Sequence, residues 1–94
     1  MLLITVTHTP TGYRLLATST YRGRYHCWSL YRDGRLLQVV SRNYQGERSI
    51  TFDLNKPLAP GHYELRVESF GWETGEQTAE TDYQTEIATI ATIS

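Results

Sequence analysis

Cysteine is nearly missing from this chain: Cys27 stands alone among 94 residues. No internal disulfide can form and no thiolate zinc site can be assembled, so the fold must hold by packing. Long apolar runs are missing as well. No stretch approaches the roughly 20 residues that a membrane-spanning helix requires, and no membrane insertion is expected. The opening MLLITVTHTP has no basic start, and Thr5 and Thr7 interrupt its apolar stretch, so it does not read as a secretory leader. Neither Asn43 nor Asn55 begins an Asn-x-Ser/Thr acceptor. A chain of this length supports one compact core and no more, and residues 1–94 read as a single domain.

Charge of one sign is scarce in each half. Residues 1–48 hold seven arginines against Asp33 and Glu47, a balance of +5, whereas residues 49–94 hold Lys56 and Arg66 against eight acids, a balance of −6. Cross-strand pairing of early basic with late acidic strands accounts for this, since opposite charges support one another across a ladder. A dipolar chain of this kind can also associate with a copy of itself. With the arginines offset by acids and no interleaved aromatic-basic motif, nucleic acid is not an expected partner.

What the chain does have is Thr, Tyr, Ile and Val, punctuated by turn residues at short intervals, the pattern of an all-β sandwich. Strands are expected over Leu2 to His8, Tyr13 to Thr20, Arg24 to Arg32, Arg35 to Ser41, Ser49 to Leu54 and His62 to Trp72, with a last strand within Glu76 to Ile93. Asp33-Gly34 is a strong hairpin signal. Pro57 and Pro60 remove ladder donors, so residues 55–61 read as a crossover loop. Tyr83, Ile87, Ile90 and Ser94 fall at helical spacing, yet Thr78, Thr81, Thr85, Thr89 and Thr92 are β-branched and disfavour a helix interior. A strand results, with a bulge between Ile87 and Ile90 that would set both on one face.

Alternation assigns the faces. Ile4, Val6, Trp28, Leu30, Ile50, Phe52, Leu54, Tyr63, Leu65 and Val67 are expected inward. Tyr25, Cys27, Ser29 and Tyr31 are expected outward, as are Glu64, Arg66 and Glu68. Leu36 and Val40 join them if Leu37 and Val39 face in. The third and sixth strands are expected as neighbours, so Tyr25, Tyr31, Glu64, Arg66 and Glu68 would form one surface.

The remaining polar residues do not fall into a catalytic or metal-binding pattern. His26 and Cys27 are adjacent in a strand and point to opposite faces, so they cannot form a nucleophile–base pair. His8, His26 and His62 come from three strands without metal-ligand spacing. The run Gly71-Trp72-Glu73-Thr74-Gly75 lacks the lysine and helix of a phosphate loop. Glu73, Glu76, Glu80 and Asp82 read as a solvated acidic hairpin rather than a calcium site. No enzyme activity, cofactor or metal is expected.

Three pieces resemble known domains: Trp28 in a core strand, the hairpin Trp28-Ser29-Leu30-Tyr31-Arg32-Asp33-Gly34, and Leu54 followed by Pro60-Gly61-His62-Tyr63-Glu64-Leu65-Arg66-Val67. The last resembles the crossover of immunoglobulin and fibronectin type III domains, where a tyrosine ties down the loop. Over Tyr25 to Trp72 the chain looks most like the three-tyrosine domain beside the propeller of bacterial two-component sensors, and like modules of polysaccharide-linked proteins. That resemblance implies an immunoglobulin-like β-sandwich of about seven strands within a larger bacterial protein. It departs from antibody domains in lacking their paired cysteines. A fold does not carry a function with it. The surface around Tyr25 and Tyr31 implies binding of a protein partner or self-association. The alternative is a carbohydrate-binding accessory domain, in which Trp72 and Tyr44 stack on the rings of an oligosaccharide.

Overall fold

The structure is a computed structural model and describes residues 1–21, 23, 25–43, 48–55, 57–71 and 83–93. Its seven strands are β1 (Leu2–Thr9), β2 (Gly12–Ser19), β3 (Tyr25–Arg32), β4 (Arg35–Asn43), β5 (Ser49–Asn55), β6 (Gly61–Phe70) and β7 (Gln84–Ile93). They form two antiparallel sheets, ordered β1-β2-β5 and β4-β3-β6-β7. This is the expected all-β sandwich, and β3 and β6 are neighbours as expected.

Local chemistry explains the connections. Asp33 (φ 51°) and Gly34 (φ 80°) both take the left-handed conformation that a two-residue hairpin needs, and Asp and Gly are residues that tolerate it. The Asp33 carboxylate accepts the His62 N–H at 2.8 Å and the Asp33 N–H donates to the His62 carbonyl at 2.8 Å, which fixes the hairpin tip to the start of β6. Between β5 and β6, Pro57 and Pro60 lie outside any strand, where the chain crosses from one sheet to the other. The Tyr63 hydroxyl donates to the Ala59 carbonyl at 2.6 Å and ties that crossover down.

The core lies between the sheets. Leu2, Leu15, Ala17, Trp28, Leu65 and Val67 are buried in one cluster, with Ile4, Tyr21, Val40, Ile50, Phe52, Ala88 and Ile90 packed around it. Trp28 is fully enclosed. A carboxylate closes one side: Glu86 of β7 accepts the Tyr21 hydroxyl at 2.7 Å and the Leu2 N–H at 3.1 Å, joining the two sheets where β1 and β7 meet. The hydrogen bond from Tyr21 holds the Glu86 carboxyl below its usual value, and the same bond raises the Tyr21 phenol.

Two expectations about faces are corrected. In β4, the pairing with β3 slips between Trp28 and Ser29 and again between Leu30 and Tyr31, leaving Val40 and Leu37 as extra residues. Each slip inverts the alternation, so Val40 packs on the core and Val39 is 50% exposed. In β7, the pairing with β6 passes from Glu64↔Thr89 to Tyr63↔Ala91, so the bulge lies at Ile90. Ile87 lies three residues before it and stays exposed opposite Arg66, while Ile90 packs inward, so the two do not share a face. Val6 lies on the inward side opposite Leu15, as expected, but stays 38% exposed because the sheets part there around a cavity.

Candidate functional site

The β3–β6 register builds the site. It sets Tyr25 opposite Phe70, Cys27 opposite Glu68, Ser29 opposite Arg66 and Tyr31 opposite Glu64, so the five strand residues expected on one surface do meet there. Cys27 and Ser29 share that side but are buried, because their short side chains lie below the longer neighbours on β6. A trough therefore runs along β3 with Tyr31 at one end, and the Tyr25 ring packs on Phe70 at the other with centroids 5.7 Å apart.

Arg66 is the hub. Its Nε donates to Thr85 Oγ1 at 3.1 Å and its Nη2 to the Tyr83 hydroxyl at 3.3 Å, with Glu68 Oε2 3.6 Å away. Tyr83 in turn donates to Glu68 Oε2 at 2.7 Å, so cation, phenol and carboxylate form a closed ring of contacts. A hydrogen bond with Tyr31 is the largest influence raising the guanidinium pKa further. Beside this group lies a hollow of about 540 Å³ bordered by Tyr31, Gly34, Glu64, Arg66, Thr85 and Ile87. Exposed Leu36, Val39 and Ile87 add apolar surface around it, and exposed Phe70 does so at the Tyr25 end of the trough. At the start of β6, His62 contacts Thr92 Oγ1 at 3.0 Å and Thr89 Oγ1 at 3.3 Å, and its Nε2 lies 3.9 Å from Glu64.

Sequence reading missed Tyr83, Thr85, Phe70, Ile87 and Val39 as parts of this surface. Tyr83 is the most telling, since its role depends on the β6–β7 register and no local pattern encodes that. Trp72 and Tyr44, the two aromatics expected to stack on sugar rings, lie outside the described residues, as does the acidic stretch Glu73 to Asp82.

The remaining polar groups stay apart. His26 is buried against Trp28 at 6.2 Å between near-parallel rings, and neither ring nitrogen has a hydrogen-bond partner among the described residues. Burial, and then the charge of Arg48, lower its pKa, against a weaker opposite influence from the Tyr21 backbone. Its surroundings favour the neutral form over the charged one. His8 packs on Tyr13 at 4.9 Å, beside an apolar cavity of about 360 Å³ between the sheets. Among the described residues no three His, Cys, Asp or Glu side chains gather as a metal site, and no helix is long and apolar enough to cross a membrane.

Fold and site together define an antiparallel β-sandwich with an aromatic, charge-laced outer face on its larger sheet. No family model, curated protein or solved structure matches the chain.

Proposed function

We propose that this chain is a non-catalytic interaction module, an immunoglobulin-like accessory domain of a larger bacterial protein, which binds a protein partner or itself through the outer face of the β4-β3-β6-β7 sheet. The observation that carries this reading is the Tyr31–Arg66–Tyr83–Glu68 group set among exposed Leu36, Val39, Phe70 and Ile87. Tyrosine and arginine supply wide contact area and hydrogen bonding together, and both are enriched where binding energy concentrates. Here the arginine is already oriented by Thr85 and Tyr83, so little side-chain freedom remains to be lost on docking. The immunoglobulin-like part of the reading draws support from the Tyr63–Ala59 tie, the enclosed Trp28 and the pairing of β3 with β6.

Binding isotherms of the chain against itself and against protein partners test the face. Tyr31→Ala and Arg66→Ala are each expected to weaken association about tenfold, the effect of losing one well-packed contact, while thermal melts stay cooperative. Unchanged association in both variants would overturn the assignment.

A further inference from the structure

Resting on the face just assigned, we infer its occupant: a second copy of this chain, docked face to face about a two-fold axis that lies in the interface, crosses the strands and passes over Leu65.

The sheet registers lead to this axis. Gln38, Leu30, Leu65 and Ala88 form one row across β4, β3, β6 and β7. A two-fold axis along that row lays each strand antiparallel over its own copy and exchanges the outward residues on either side. On β6 it sets Arg66 over the second copy's Glu64, and on β3 it sets Tyr31 over the second copy's Ser29. On β4 it sets Leu36 over Val39, and on β7 Ile87 over Thr89. Each match is favourable in its own terms. Charge meets opposite charge, a bulky ring meets the floor of the trough, exposed Leu36 meets exposed Val39, and Ile87 lies on the methyl-bearing side chain of Thr89. Glu64 has capacity to spare, because its nearest ionic neighbour among the described residues is His62 at 3.9 Å.

The next row tests that choice. An axis over Trp28, Val67 and Glu86 would set Tyr31 over Tyr25, ring upon ring, and Arg66 over Glu68. Glu68 already accepts Tyr83 and pairs with Arg66 of its own chain. Both rows give an isologous contact, but only the Leu65 row offers Arg66 a carboxylate, Glu64, that is not already engaged by Tyr83 and Arg66 of its own chain.

Twist makes aligned sheets cross at about 30°, which leaves the central β3 and β6 pairs in place and slides the outer pairs by about one residue. Four strands of about eight residues present roughly 500 Å² in plan, so two copies bury at least about 1,000 Å², the lower bound for a specific interface. An interface of that size suits a reversible dimer.

Sedimentation equilibrium on the full chain from about 1 μM to about 500 μM, a range suited to small interfaces, decides the matter. The wild-type chain is expected to dimerise within that range. Arg66→Glu and Glu64→Arg, each setting like charges together across the axis, are each expected to weaken the dimer at least about tenfold. The double variant R66E/E64R, and an equimolar mixture of the two single variants, are expected to restore it. Leu36→Asp, at an exposed position outside the Arg66 contacts, gives an independent loss if Arg66→Glu disturbs folding. A wild-type chain monomeric throughout overturns the second copy and leaves the face to be judged by Tyr31→Ala against a different protein. Losses without restoration by the charge exchange overturn this axis while the face stands. A dimer indifferent to Tyr31→Ala, Arg66→Glu and Leu36→Asp overturns the face and the pairing together.

Discussion

The two outer faces of this sandwich rest on the same strand geometry and carry different chemistry. On the β1-β2-β5 sheet the outward positions hold Leu3, Thr5, Thr7, Arg14, Leu16, Thr18, Thr51 and Asp53, with no aromatic among the described residues. Its polar contacts are local pairs between adjacent strands: Arg14 Nε with Asp53 Oδ1 at 3.0 Å and the Thr18 and Ser49 hydroxyls at 3.1 Å. On the larger sheet, one arginine gathers contacts from residues on three strands and from Tyr83 just before β7. Threonine-rich ladders need only to pair and stay wet. A converging group of tyrosine, arginine and carboxylate does more than a ladder requires, and that surplus marks the face.

The strongest way to break the comparison is to remove what both faces share. Trp28→Ala deletes the ring that both sheets pack against, and a loss of about 3–5 kcal/mol is expected in denaturant melts, with association lost alongside. A variant within about 1 kcal/mol of wild type would show that the core does not depend on this ring.

Acid should act next, from inside the sandwich and beneath both faces. The folded state holds His26 below its ordinary value of 6.5, so its neutral form is the one the fold favours. That contribution is fully present above pH 6.5 and is lost as pH falls through the lower folded-state value. One proton coupled in this way changes stability by at most about 1.4 kcal/mol per pH unit. Urea melts at stepwise lower pH should therefore show a steeper decline in wild type than in His26→Leu. Equal declines would remove His26 as the cause.

The smallest effect sharpens the contrast most. Arg14 and Arg66 each sit outward on a sheet and each touches a carboxylate, but Arg14 and Asp53 are both more than half exposed. Water screens such a pair heavily. Arg14→Ala is expected to leave both association and melting unchanged within error, whereas Arg66→Ala weakens association about tenfold. A matching loss in Arg14→Ala would erase the distinction between the faces.

Much of this was legible before the fold was known. Asp33-Gly34, the two prolines of the crossover and the alternation along β6 are local signals, and each acts on its own few residues. The hidden features depended on pairing. Nothing within Leu36-Leu37-Gln38-Val39-Val40 shows where β3 will slip against it, so Val39 and Val40 exchanged their expected faces. Tyr83 had only a helical spacing to suggest its place, and reaches Arg66 because β7 folds back along β6. Tyr25, Tyr31, Glu64, Arg66 and Glu68 could be placed on one face from sequence because all five lie on two neighbouring strands of plain alternation.

Glu86 ties the two sheets together at the starts of β1 and β7, where a pull along the strands would act. β1 and β7 run side by side in the same direction: Leu2 bonds to Glu86 near their starts, while Val6 and His8 border the same cavity as Ile90 to Ile93 further along. Leu2 and Ile93 therefore lie toward opposite ends of this pair of strands. Tension drawn between those ends would shear the β1–β2 and β6–β7 ladders lengthwise, with the Leu2–Glu86 and Tyr21–Glu86 bonds strained in the same step. Bonds sheared together resist rupture far better than bonds peeled one by one, and forced opening is governed by that barrier rather than by equilibrium stability. The Glu86 carboxylate thus joins the two sheets at a point that tension along the strands would load.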